Sequence, residues 1–206
     1  MVEAMKLYDV SVSSNCRKVR ITAAELDLPL EIVPVDLRVG GSTDPAYRNK
    51  NPMGKVPTLE DDGFFLFESA AICDYLAAKR PERALAPTDA RGRADLWRWL
   101  SWFSAHVQPW GATIALERGI KPKLTGQPGN EHAVAYAERE LARFLPVLEQ
   151  HLRGRESVLP TYTIADICLG CGLETAARVG IDLGVYPAIC AWLARITARD
   201  AWKRAS

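Results

Sequence analysis

Strand-like and helix-like hydrophobic patterns alternate through roughly the first eighty residues, and beyond them only the helical pattern continues. Residues 6–10 read as a short strand. Residues 17–26 carry Val19, Ala23 and Leu26 at the spacing of one helix face, and Leu28-Pro29 stops that helix. Residues 31–37, rich in Ile and Val, form a second strand, and Pro34 inside it predicts an edge position. Strand, helix and strand in that order imply a parallel pair joined by a crossover helix. A Gly-rich loop at 39–43 and a short helix from Asp44-Pro45 to Asn49 follow. Residues 56–60 and 64–67 are strands joined by Asp61-Asp62-Gly63, a hairpin turn sequence. The next helix, 69–79, has Ile72, Tyr75 and Leu76 on one face.

Residues 80–89 contain Pro81 and Pro87 and show no period. Helices then fill the chain: a long aromatic-rich one at 91–118, a periodic one at 131–153 that Pro146 should kink, and two more at 164–178 and 187–199. A polar Pro/Gly loop is expected at 121–130, and Tyr136, Leu141, Phe144, Leu145 and Leu148 are core candidates. A parallel βαβ half, an antiparallel hairpin and a closing helix make the thioredoxin arrangement. The expected architecture is therefore mixed α and β: a thioredoxin-like βαβ-ββα domain over residues 1–80, a linker at 81–88 and an all-helical domain at 89–206.

With 48% hydrophobic and 25% charged residues, the chain of 206 can bury a substantial core. A net charge of +1 implies no bulk attraction to nucleic acid or an acidic membrane. No apolar run approaches the roughly 20 residues that span a bilayer, and the first residues do not read as a signal peptide. Five cysteines without framework spacing fit free thiols in a reducing cytoplasm.

The segment Asn51-Pro52-Met53-Gly54-Lys55-Val56-Pro57-Thr58-Leu59 is the most informative chemically. Gly54 permits a close approach, and Pro57 cannot donate to a strand ladder. A cis Val56-Pro57 bond would turn the Val56 amide and carbonyl outward, toward a peptide-like ligand. From the residues alone, an ordinary trans proline at a strand start is the favoured reading. Together with Glu68-Ser69-Ala70-Ala71-Ile72, however, the segment resembles the glutathione-binding signature of the cytosolic glutathione transferases. That resemblance implies a cis Pro57, a Val56 backbone paired with the cysteinyl part of glutathione, and Glu68 and Ser69 holding its γ-glutamyl end. The residue types suit those tasks. Ser69 starts a helix, where free N–H groups and the positive dipole end favour a carboxylate, and Glu68 offers a charge to an ammonium group. A plain N-cap is the structural alternative for Ser69 and a solvated acid for Glu68.

Ser11-Val12-Ser13-Ser14-Asn15-Cys16-Arg17-Lys18 joins the first strand to the first helix, facing the edge of the sheet where α/β sites form. It resembles the activating loop of serine-type, bacterial-like members, with Ser13 in the catalytic place. The alignment to cysteine-bearing members selects Ser14 instead. Tyr8, inside the strand, is the weaker match to tyrosine-type members. Ser13 also reads as an N-cap, and Cys16 as a reactive thiol or a small core residue. The resemblance further places Lys55 and Arg38 at the glycyl carboxylate.

Thr163-Ile164-Ala165-Asp166 is a capping-box-like helix start with a folding role. Cys168 and Cys171 lie within a helix and read as core. His106, His132 and His151 form no spaced set, so no metal is expected. Trp110 and His106 are candidates to line an apolar acceptor site. The resemblance, spanning nearly the whole chain, implies a glutathione transferase that joins the thiolate of glutathione, its co-substrate, to a small hydrophobic electrophile. It implies a cytoplasmic homodimer in a detoxification role, with no nucleic-acid or membrane partner. Alternatives are a glutathione-dependent isomerase, dehalogenase or peroxidase, and a non-catalytic interaction module on the same fold.

Overall fold

The computed structural model describes residues 4–36 and 44–205. The chain divides into two compact units, Met1–Ala86 with Asp200–Ser206, and Pro87–Arg199.

In the first unit the elements run β1 (Met5–Asp9), α1 (Ser14–Glu25), β2 (Leu30–Pro34), α2 (Pro45–Arg48), β3 (Thr58–Asp61), β4 (Phe64–Phe67) and α3 (Ser69–Lys79). The sheet order is β2-β1-β3-β4. β1 and β2 are parallel, while β3 is antiparallel to both β1 and β4. β2 is thus an edge strand, which accommodates Pro34. Helices α1 and α3 pack together, and their apolar stripes bury Val19, Ile21, Ile72 and Leu76 with Leu7 and Leu59 of the sheet. Each such side chain is worth roughly 1.5–3 kcal/mol when fully removed from water. Val56 and Pro57 precede β3 rather than belonging to it, because Pro57 has no N–H for the ladder and pairing starts at Thr58. The expected Gly-rich loop at 39–43 lies outside the described residues.

The second unit holds α4 (Ala90–His106), α5 (Gln108–Ile114), a π-helical turn (Ala115–Ile120), α6 (Lys121–Thr125), α7 (Glu131–Leu152), α8 (Ile164–Arg178) and α9 (Pro187–Thr197). The single long helix expected at 91–118 is broken at Val107, whose φ of −120° leaves the helical range just before Pro109. The expected loop at 121–130 begins as helix α6, since Pro122 stands in a first turn that needs no proline N–H. α7 continues through Pro146. Its buried stripe is Val134, Ala137, Leu141, Leu145, Leu148 and Leu152, which leaves Tyr136 exposed. Gly172 lets α8 meet α4: a Cβ there would lie 2.3 Å from the Phe103 ring.

The last helix, α10 (Asp200–Arg204), belongs with the first unit, so the helical domain expected to run to residue 206 ends at Arg199. The cause is burial. Trp202 is 1% exposed and α10 packs on α1, with the Arg17 guanidinium over the Trp202 ring at 5.3 Å and Arg204 donating to the Ala24 carbonyl at 2.9 Å.

Candidate active site

Strand register brings three segments of the first unit to one edge of its sheet. Tyr8 of β1 stands opposite Thr58 of β3, and Thr58 opposite Phe67 of β4. The loop leaving β1, the segment entering β3 and the turn leaving β4 therefore adjoin one another. They carry Ser13, Lys55-Val56-Pro57 and Glu68-Ser69.

The first loop is tightly held. The Ser13 N–H donates to the Val10 carbonyl at 2.9 Å, closing a turn. Arg20 reaches both oxygens of Asp9, at 2.5 and 2.7 Å, and the Ser11 carbonyl at 2.9 Å. Ser13 is the N-cap of α1 and its hydroxyl accepts from the Cys16 N–H at 3.4 Å. A hydroxyl has one proton and two lone pairs, so that bond uses a lone pair and not the proton, which also lies within reach of the Cys16 thiol. Ser14 is the first helical residue. Cys16 is fully buried, and burial pushes its thiol up to about 11, so it stays protonated core. Tyr8 is committed elsewhere: its hydroxyl donates to Glu60 at 2.6 Å, and burial, then Glu60, pushes it up to about 12.

The second segment is set by two residues that the sequence reading gave no role. Asn51, 1% exposed, donates to the Lys55 carbonyl at 2.8 Å and to Thr58 Oγ1 at 3.0 Å, and accepts from the Met53 N–H at 3.0 Å. Tyr47 of α2 donates to the same Lys55 carbonyl at 2.7 Å. Two donors on one carbonyl fix the backbone at the point where Val56 begins. Gly54 takes a φ of 62°, the left-handed region that glycine enters without penalty. The Val56-Pro57 bond is cis. Val56 is half-buried, Pro57 buried, and the Lys55 side chain exposed without an ion pair among the described residues.

The third segment starts α3. Ser69 is its first helical residue rather than its cap. The cap position is Glu68, exposed, with φ 72° and no side-chain bond to the helix end. A non-glycine residue held there carries local backbone strain. Ser69, 9% exposed, reaches Asn15 Oδ1 of α1 at 3.4 Å. The two helix N-termini are thus linked side by side, each with orphan N–H groups and a positive end. Arg38 lies outside the described residues.

In the second unit, α4 and α7 form an open pocket of about 500 Å³ lined by Arg98, Trp99, Trp102, Val147, Gln150 and His151. His106 and Trp110 are not among these; His106 stacks on Phe144 at 4.9 Å and Trp110 meets Tyr136 at 5.4 Å. Cys168 and Cys171 are buried within α8. Among the described residues no group of three or more His, Cys, Asp or Glu side chains is placed to hold a metal. Nor, among them, is any helix long and apolar enough to cross a membrane.

Residues 7–84 match the family model for the glutathione S-transferase N-terminal domain and residues 109–200 that for the C-terminal domain. The chain is 34% identical to glutathione S-transferase 3 of Zea mays, covering 97% of this chain and 92% of that protein. It is 31% identical to a glutathione S-transferase of Hyoscyamus muticus, over 98% and 97% of the two. A Burkholderia graminis glutathione transferase, solved with two glutathione molecules per subunit, superposes with a TM-score of 0.87 at 29% identity, covering 98% of this chain and 87% of that one.

Proposed function

The chain belongs to the glutathione S-transferase family and is a glutathione-conjugating enzyme, and on that premise we propose that it works as a serine-type transferase through Ser13. The observation that carries this reading is the hydroxyl of Ser13, whose bond from the Cys16 N–H uses a lone pair and not its proton, at the sheet edge shared with Val56 and Ser69.

Glutathione is held by its two ends and its middle. The Val56 backbone pairs with the cysteinyl unit. Glu68 meets the α-ammonium, and Ser69 with the orphan N–H groups of α3 receives the α-carboxylate end. Lys55 and Arg38 are the proposed cationic partners of the glycyl carboxylate. A free thiol has a pKa of about 8.5, so little is ionised at pH 7. Lowering it by two units requires about 2.7 kcal/mol of preference for the anion. One hydroxyl donor to a charged sulfur, about 1.5–3 kcal/mol, together with the N-terminus of α1 supplies that. The thiolate then attacks the electrophilic carbon of a small apolar acceptor. The sulfur–carbon bond forms as the leaving group departs with its electron pair, or as the displaced π pair takes a proton.

Ser13→Ala should raise the pKa of enzyme-bound glutathione and lower kcat at pH 7 roughly tenfold to a hundredfold, with glutathione affinity nearly intact. Ultraviolet thiolate absorbance against pH, for wild type, Ser13→Ala and Ser14→Ala, is the measurement. A shift in Ser14→Ala alone moves the role by one residue, and a shift in neither removes both serines from it. Five cysteines, none of them in a disulfide, suit a cytoplasmic site of action. A homodimer, supported by the aromatic surface of the helical unit and by family, predicts light scattering near twice the chain mass of 22.8 kDa.

A further inference from the structure

The loop that delivers Ser13 is tied back onto its own helix. Arg20 stands four residues after Cys16 on α1, so the two share a helix face, and both reach the loop before the helix. The Cys16 sulfur accepts from the Val10 N–H at 3.5 Å. Arg20 spreads its two terminal nitrogens over different partners. Nη1 donates to both Asp9 oxygens, at 2.5 and 2.7 Å, and Nη2 donates to the Ser11 carbonyl at 2.9 Å. Asp9 closes β1 and is 5% exposed, and its carbonyl accepts from the Val35 N–H at 2.9 Å, so the anchor of the guanidinium is fixed by the sheet. Val12, between Ser11 and Ser13, is 91% exposed, so hydrogen bonds rather than packing set the shape of this turn. Any cation could satisfy the Asp9 carboxylate. Reaching a carbonyl at the same time takes the planar fork of a guanidinium, which an ammonium lacks.

We propose that Arg20 is a positioning residue for the transferase reaction: anchored on Asp9, it fixes the Ser11 carbonyl and so aims the Ser13 hydroxyl at the sulfur of bound glutathione. This rests on the reading of Ser13 as the donor to the thiolate.

The test compares Arg20→Lys, Asp9→Asn and Ser13→Ala by ultraviolet thiolate absorbance against pH, steady-state kinetics, glutathione calorimetry and thermal unfolding. Arg20→Lys keeps a cation beside Asp9 and gives up the Ser11 carbonyl. It should raise the pKa of bound glutathione by about half a unit to one unit and lower kcat at pH 7 about threefold to tenfold. Kd for glutathione should stay within about twofold, because the ends of the tripeptide bind elsewhere. The loss of kcat should fade at a pH where the bound thiol is ionised in both proteins. In a Ser13→Ala background Arg20→Lys should add no further shift. Asp9→Asn keeps an oxygen for Nη1 and leaves the Ser11 bond in place, but strands a largely buried cation without its counter-ion. It should therefore melt lower than Arg20→Lys and yet leave the bound-thiol pKa no higher than in wild type. An ion pair that served the fold alone would not separate stability from thiol ionisation in that order. The proposal is overturned if Arg20→Lys leaves the thiol pKa and kcat unchanged, or if its shift persists in the Ser13→Ala background. It is overturned as well if Asp9→Asn raises the thiol pKa as much as Arg20→Lys does, since the effect then follows the ion pair and not the Ser11 tether. A Ser13→Ala variant with the wild-type thiol pKa would overturn the underlying reading of Ser13, and the proposal with it.

Discussion

Two helix starts of the helical unit contrast with the start of α3 in the thioredoxin-like unit. In the helical unit the starts of α8 and α9 are closed from within. Thr163 accepts from the Ala165 N–H at 3.3 Å, and Asp166 accepts from the Thr163 N–H at 2.9 Å, the Val158 N–H at 2.8 Å and Trp192 Nε1 at 2.9 Å. Asp166 is fully buried, and burial pushes its carboxyl up against the pull of those donors. Glu149 of α7, 6% exposed, does the same for α9, accepting from the Ala188 and Ile189 N–H groups at 3.0 Å each. In the thioredoxin-like unit, α3 begins at an exposed Glu68 that makes no capping bond. The starts of α8 and α9 are satisfied by the chain itself, whereas the uncapped start of α3 is where the proposed site takes the carboxylate of its ligand.

That contrast predicts where stability and binding part company. Asp166→Ala strands three buried donors at once and should cost about 3–5 kcal/mol, read as a lower urea midpoint by tryptophan fluorescence. A loss under about 1 kcal/mol would mean that the closed end of α8 is not what holds this region. Glu149→Gln removes the charge and one of the two accepting oxygens from the start of α9, at about 1–2 kcal/mol. Glutathione affinity should be untouched, and a Kd that changed along with the midpoint would break the division between the two kinds of helix start.

Which parts were legible in advance follows from where the information lay. The hairpin strand Phe64–Phe67 and the helices Ser69–Lys79 and Ile164–Arg178 match their sequence reading because each is bounded by local chemistry, namely Gly63, the Glu68-Ser69 pair and the Thr163 cap. The break at Val107 had its signal in Pro109, but the aromatic run on either side reads as one uninterrupted stripe. α10 is too short for a period to show, and only packing of Trp202 on α1 assigns it to the first unit. At the site, the cis Val56-Pro57 bond was legible only through the family resemblance, since the residues alone favour a trans proline there. Its supports were not legible. Tyr47 and Asn51 act on a shared carbonyl, and Asn15 on Ser69, through contacts that no periodicity encodes.

The smallest effect is the one that divides the two regions most directly. Glu68 holds φ 72°, a region where a side chain is strained and glycine is not. Relief of that strain is worth roughly 1–2 kcal/mol, and the extra freedom of a glycine in the unfolded chain returns about 1 of it. Glycine is also an acceptable N-cap residue, and Glu68 makes no capping bond to lose. Glu68→Gly should therefore leave the protein as stable as before or up to about 1 kcal/mol more so, while the affinity for glutathione falls steeply. No substitution at Asp166 or Glu149 has that pairing of signs, because their carboxylates serve the fold alone. Thermal melting and glutathione calorimetry on the same preparation give both readouts. A variant that melts well below wild type and still binds glutathione normally would make Glu68 a structural residue, and the open end of α3 would lose its explanation.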